Sequence, residues 1–211
     1  MSTSQRSNSA GGQVGRALRV VADILLGILT GIVLALVATN LLLVAEGKSA
    51  FRTVNGWSST MKAGKPGSSL LLRALLADQL PAANVAEESV YWITGKDDTG
   101  RKLDGRYDYV LHFPPGGLPP NDAFWSLTMT DARKALVANP MNRYSVGDRS
   151  GLAENADGSV DIYLQTKAPA GHETNWLPAP AGGFILWLRA YQPGTTVLNG
   201  TYQVPPVTEV R

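Results

Sequence analysis

The sequence predicts a mainly β protein: an antiparallel sandwich or jelly-roll-like domain with one short helix, preceded by a single transmembrane helix. Three observations carry that expectation. Residues 24–44 hold no charged side chain, short alternating segments follow one another after residue 88, and the stretches between them are rich in Pro and Gly, which ladders avoid. With 44% apolar and 17% charged residues, the 211-residue chain has material for one core behind an anchor and does not read as disordered. The expected division is a disordered tail over 1–19, a transmembrane helix over 20–45, a tether over 46–67 and a β-rich domain over 68–211.

Residues 1–15 are rich in Ser, Gly, Asn and Gln and show no apolar periodicity, the composition of a tail. In the uncharged stretch only Gly residues, Thr30, Thr39 and Asn40 interrupt the apolar run. At about 1.5 Å per residue its length matches a hydrocarbon core of roughly 30 Å, which makes the lipid bilayer the expected partner. Ala45-Glu46-Gly47 offers a signal-peptidase site as the alternative, but signal h-regions run to only about 7–15 residues, and a retained anchor is the preferred reading. Lys and Arg are nearly balanced on the two flanks; the proximity of Arg16 and Arg19 favours the amino terminus inside. Gly27, Gly31 and Ala35, with Thr39, recur every fourth residue and would let a second copy approach closely, the homodimer expectation. Such residues are also simply common in membrane helices.

A formal charge of +2, from 19 basic and 17 acidic residues, argues against a nucleic-acid partner. The lack of cysteine excludes disulfides, thiolate metal sites and a cysteine nucleophile. In the tether, Trp57 is expected at the membrane interface, where indole rings are favoured. Leu71, Leu72, Leu75 and Leu76 recur with helical spacing between a Ser68 or Ser69 cap and a Pro81 stop, which predicts one amphipathic helix.

Tyr91 to Ile93 open a strand, residues 96–105 form a charged loop, and Tyr107, Tyr109, Leu111 and Phe113 alternate, which together suggest a hairpin with a long loop. The prolines of 114–120 mark a crossing loop before a strand over 123–130. Asp157-Gly158 predicts a tight turn joining 151–153 to a strand over 160–165 whose Val160, Ile162 and Leu164 share a face. Residues 184–191 are almost continuously apolar, as expected of a central strand buried on both faces, and the Pro-rich end from Val204 is expected to be extended.

The strings Phe124-Trp125-Ser126-Leu127-Thr128, Asn139-Pro140-Met141-Asn142-Arg143-Tyr144, Asn155-Ala156-Asp157-Gly158-Ser159, Asn175-Trp176-Leu177-Pro178-Ala179-Pro180 and Arg189-Ala190-Tyr191-Gln192-Pro193, with Leu103-Asp104-Gly105, resemble the bacterial family called domain of unknown function 1214. The resemblance runs from about Leu70 to the carboxyl end. It implies an all-β domain of sandwich or jelly-roll type, an uncharacterised protein and a bacterial host. Relatives often carry a second domain upstream, which this chain replaces by anchor and tether. Thr130 stands where relatives commonly have an aromatic residue. The resemblance supplies no catalytic residues.

Trp125, Arg143, Asn175, Trp176 and Arg189 are the candidate ligand-binding residues. An exposed indole beside an amide suits a sugar or peptide edge, although Trp176 could equally plug the sandwich. Trp125, Trp187, Tyr144 and Tyr191 would line a stacking groove or fill a core. Arg143 and Arg189 lie in apolar contexts and need an acidic partner such as Asp131, Asp148 or Asp161, or else an anionic ligand. Asp148, Glu154, Asp157 and Asp161 are the carboxylates a glycosidase would draw on. Asp97, Asp98 and Asp104 lack the ordered spacing of a calcium loop, and His112 and His172 lack metal-ligand spacing, so neither a metal nor a cofactor is expected. The expectation is a membrane-anchored extracytoplasmic module that binds a ligand or partner, its domain on the periplasmic side of a bacterial inner membrane. The alternative is an envelope hydrolase acting on carbohydrate or another small substrate.

Overall fold

The computed structural model describes residues 5–80 and 83–210. The chain divides into two compact units, the first ending at Glu46 and the second beginning at Gly47. Helix α1, Gln5–Ala50, dominates the first. Its stretch from Gly15 on is long and apolar enough to cross a membrane, and Leu18 through Val44 present large apolar side chains unburied by protein. Thr39 and Asn40 return their side-chain donors to the carbonyls of Ala35 and Leu36, so neither leaves a polar group unpaired in an apolar setting. The helix begins at Gln5, inside the segment that composition assigned to a tail, because Gln13, Ala17 and Leu18 propagate a helix already nucleated downstream. The first four residues of that segment lie outside the described residues.

The second unit is a sandwich of two sheets. Among the described residues ten strands make it: β1 (Arg52–Val54), β2 (Trp57–Ser59), β3 (Ser89–Thr94), β4 (Tyr109–Phe113), β5 (Asn121–Asp131), β6 (Ser145–Gly147), β7 (Val160–Gln165), β8 (Trp176–Pro178), β9 (Phe184–Pro193) and β10 (Val207–Glu209). They form a six-stranded sheet in the order β1-β2-β3-β9-β5-β6 and a four-stranded sheet in the order β10-β4-β7-β8. All pairings are antiparallel except β7 with β8.

The continuous apolar run of β9 has the two-faced burial its composition calls for. Phe184, Leu186, Leu188 and Ala190 point into the core between the sheets, where Leu127, Ile162 and Leu164 meet them. On the other face Ile185 and Trp187 meet helix α2, Leu70–Gln79, through Leu72 and Leu76. Ser69 caps α2 as expected, its hydroxyl accepting from the Leu72 amide at 3.0 Å; Pro81, the expected stop, lies outside the described residues. A third helix, α3 (Thr195–Leu198), follows β9.

Three expectations need correcting. The tether is not a plain linker: Asn55 and Gly56, with φ of 52° and 82°, turn β1 back onto β2, and β2 pairs with β3. Positive φ at both central residues is the type I′ hairpin that Asn-Gly encodes, so Trp57 is carried into the core, 1% exposed, instead of to a membrane interface. β3 and β4 are not a hairpin, since β3 pairs with β2 and β9 while β4 pairs with β10 and β7, and the loop between them crosses from sheet to sheet. Tyr107 accordingly lies outside β4 and is exposed. The turn at Asp157-Gly158 is present, with Gly158 at φ 83°, but residues 151–153 form no strand, and β7 finds its partners in β4 and β8.

The loop after β3 is held by Asp97, which is 2% exposed. Its Oδ1 accepts from the Thr99 amide, the Thr99 hydroxyl and the Arg101 amide at 2.7–2.9 Å. Burial raises the pKa of this carboxyl, but those hydrogen bonds and the Arg101 charge outweigh it and hold the group below the usual carboxylate range. Arg101 also pairs with Glu209 on β10, tying the loop to the opposite sheet.

Candidate functional site

The five residues singled out in the sequence are not brought to one cleft. Trp125, 2% exposed, points between the sheets and packs against Phe113, with ring centroids 5.8 Å apart. Arg189 lies on the outer face of the six-stranded sheet and donates to the Thr128 hydroxyl at 2.9 Å. Arg143, Asn175 and Trp176 do converge, at the crossover that joins β7 to its parallel neighbour β8.

That crossover is short for a parallel connection, and it contains only the 3₁₀ turn Glu173–Asn175. Arg143 spans its end. One guanidinium nitrogen donates to the carbonyls of Glu173 (2.9 Å), Thr174 (3.2 Å) and Trp176 (2.9 Å). Asn175, 5% exposed, donates through Nδ2 to the carbonyls of Ala153 and Asp161 and accepts the Ala153 amide on Oδ1, all at 2.8 Å. The Trp176 indole donates to the Gln165 carbonyl at 2.8 Å. Each polar group is therefore used by the backbone it orders. Arg143 finds carbonyls, not the carboxylate of Asp131, Asp148 or Asp161, because the turn leaves three C=O groups aimed at one point. The space beside Arg143 is about 10 Å³, room for at most one water.

Of the carboxylates considered for hydrolysis, Asp157 and Asp161 are engaged as well. Asp157 accepts the amide and hydroxyl of Ser159, hydrogen bonds that hold its pKa low. Asp161 accepts from Asn155 at 2.9 Å and lies 2.6 Å from His112 Nδ1, since β4 and β7 place His112 and Asp161 directly opposite on the outer face of the four-stranded sheet. Sequence separation concealed that pair. Among the described residues no three His, Asp or Glu side chains are grouped as a metal would need.

A more substantial cavity lies elsewhere, where β1 and β2 face the segment after β9. Its volume is about 310 Å³, at the lower end of the range for small-molecule sites. Trp57, Trp92, Val197, Tyr202 and Val204 supply an apolar wall. Trp92 and Tyr202 meet edge to face with centroids 5.7 Å apart, and the Trp57 indole donates to the Pro205 carbonyl at 2.8 Å, so both strands and tail are fixed around the opening. Tyr202 donates its hydroxyl to the Gly117 carbonyl, and burial pushes its phenol pKa far up, so it stays neutral. Among the described residues the charged ones in the lining are Arg52 and Lys62, both exposed at the rim, and no Asp, Glu or His lines the cavity.

None of these lining residues was a candidate in the sequence. The signals that could have found them were the Asn55-Gly56 hairpin pair and an indole, Trp57, in an otherwise small and polar stretch.

Fold and site define a two-sheet β domain carried behind one long apolar helix, with an aromatic-walled pocket. The chain belongs to the family described as Protein of unknown function (DUF1214), matched over residues 88–195. It is similar to the VPA0106 protein from Vibrio parahaemolyticus, with 28% identity and a TM-score of 0.58 over 69% of this chain and 36% of that one. It thus spans about a third of that relative's length. An uncharacterized protein from Burkholderia cenocepacia also aligns, at 14% identity and a TM-score of 0.40, over 82% of this chain and 49% of that one. No curated protein matches the chain. Apart from Trp92, the pocket is built from residues 50–62 and 197–204, outside the matched region.

Proposed function

We propose that the protein is a membrane-anchored, extracytoplasmic binding module of the bacterial inner membrane whose ligand enters the pocket between β2, β3 and the segment after β9. The observation that carries this reading is the lining itself: a largely aromatic and aliphatic wall with two cations at its rim and, among the described residues, no Asp, Glu or His. Hydrolases usually move protons with a carboxylate or an imidazole within hydrogen-bond reach, so the same observation favours binding over the hydrolase alternative. The amino terminus stays inside because Arg16 and Arg19 directly precede the apolar stretch.

Two experiments test it. The chain contains no cysteine, so an Ala170→Cys variant carries one exposed thiol; in intact bacterial spheroplasts it is expected to react with a membrane-impermeant maleimide. Protection until the cells are lysed would put the domain in the cytoplasm. For the pocket, the full chain in phosphatidylcholine nanodiscs is titrated with 1-octanol while its indole N–H resonances are followed. The Trp57 and Trp92 signals are expected to shift saturably while Trp125, Trp176 and Trp187, which do not line the pocket, stay in place. Leu198→Trp, at an exposed lining position, is expected to abolish the shifts by filling the space. Uniform shifts of all five indoles, or shifts indifferent to that substitution, would count against a specific site.

A further inference from the structure

The pocket's chemistry also points to what it holds, an inference that rests on the binding reading above. The buried side of the lining is mainly apolar and carries no charge, with Val197 and Val204 1% and 2% exposed, Thr60 its buried polar side chain and Tyr202 uncharged. Charge appears only at the rim, and there it has one sign. Arg52 keeps its place by donating from Nη1 to the Gly200 carbonyl at 3.1 Å, and Lys62 by donating to the Ser49 carbonyl at 3.0 Å. Each bond uses one donor of a side chain that has several, and a carbonyl neutralises no charge, so both cations retain donors and positive charge for an anion.

A second constraint comes from connectivity. Ala50, which lines the pocket, follows Val44, the end of the uncharged stretch, by six residues. Even fully extended, such a segment reaches only about 20 Å, so Ala50 lies within that distance of Val44. The molecules most concentrated there are amphiphiles.

We infer that the pocket binds a single-chain amphiphile with one anionic head, of the alkanoate class, its chain against Trp57, Trp92 and Tyr202 and its carboxylate at Arg52 and Lys62. An apolar wall rewards the removal of methylenes from water, while a rim of two cations and no carboxylate selects the sign of the head. A volume of about 310 Å³ suits one short chain and not the two chains of a diacyl lipid. Because the pocket elements other than Trp92 lie outside residues 88–195, both rim cations included, this ligand class does not extend to the family through its matched region.

The test uses the full chain in phosphatidylcholine nanodiscs, read on the Trp57 and Trp92 indole resonances and corrected for partition into empty discs. Three probes with the same tail are compared at pH 8 and low salt: octanoate, 1-octanol and octyltrimethylammonium. Octanoate is expected to bind about three- to ten-fold more tightly than octanol, the range that two partly screened ion pairs supply, and octyltrimethylammonium more weakly than either. Arg52→Gln with Lys62→Gln is expected to remove the preference for octanoate while leaving octanol binding as it was. If octanol matches octanoate, or the double variant keeps the preference, the anionic assignment fails and the pocket reading survives. If no probe moves the two indoles saturably in the parent protein, the pocket reading falls and this inference with it.

Discussion

Replacing Trp57 with alanine is expected to destabilise the domain by about 3–5 kcal/mol, the usual loss for truncating a buried Trp or Phe. The side chain is 1% exposed and belongs to the cluster that fills the space between the sheets, so the substitution empties a site that rigid strands on either side cannot collapse to fill. It also orphans the Pro205 carbonyl that accepts the indole N–H. For a domain of this size the midpoint of thermal unfolding should fall by roughly 6–20 °C. Near-UV circular dichroism of the full chain in nanodiscs reads it. Trp57→Phe separates the two contributions, since it keeps most of the volume and loses the hydrogen bond, and should cost about 0.5–1.5 kcal/mol for that bond. An interfacial indole would behave differently: either substitution would leave the melting of the domain unchanged, and that result would return residues 52–59 to the role of a linker. The same geometry forbids a domain fragment that starts after Ser59, because removing β2 would uncover the β3 edge at Trp92 and Ile93.

Why this segment escaped the sequence reading is a matter of length and locality. β9 was legible because ten residues, apolar on both faces, leave no other assignment, and α2 was legible because its cap and its leucine spacing agree. β5 and β7 announce themselves through Trp125, Leu127 and Met129 and through Val160, Ile162 and Leu164, all inward. β1, β2 and β8 have three residues each, too few to show a period, and exist because a neighbouring strand offers its edge. Alternation also says that a strand exists without saying what it pairs with, which is how β3 and β4, adjacent in sequence, were joined into a hairpin that the two sheets separate. The site divides along the same line. The sequence singles out Arg143 as a guanidinium in an apolar context and Asn175 as an amide beside an indole, but their partners in the fold are backbone groups, and no side-chain pattern reveals where a carbonyl points. The pocket is assembled from segments nearly 150 residues apart, joined by contacts such as Trp57 to Pro205, and only the folded chain brings them together.

The Asn175 site makes a sharper test of that structural role than deletion does. Asn175→Ala removes three hydrogen bonds at once and should cost about 1–3 kcal/mol for the stranded backbone groups. Asn175→Asp, nearly identical in shape, is expected to be worse at neutral pH, about 3–5 kcal/mol, because it sets an unpaired charge in a buried position. The reason is the direction of the bonds. Nδ2 donates to two carbonyls, of Ala153 and Asp161, and a carboxylate oxygen in its place would face both as a second acceptor. The charged form is therefore penalised in the folded state, and the introduced carboxyl has a folded pKa above its unfolded value of about 3.9. Below that unfolded value both states are protonated and the charge penalty vanishes. It grows as the pH rises from there to the folded pKa and is complete above it. Unfolding midpoints of the parent, alanine and aspartate variants should consequently fan apart between acid and neutral pH, with aspartate approaching or passing alanine at the acid end, where its protonated oxygen can donate one of the two lost bonds. An aspartate variant as stable as the parent at pH 7 would mean that Asn175 is solvated and free to turn outward. The crossover between β7 and β8 would then rest on Arg143 and the Trp176 indole, and Asn175 would again be available to a ligand.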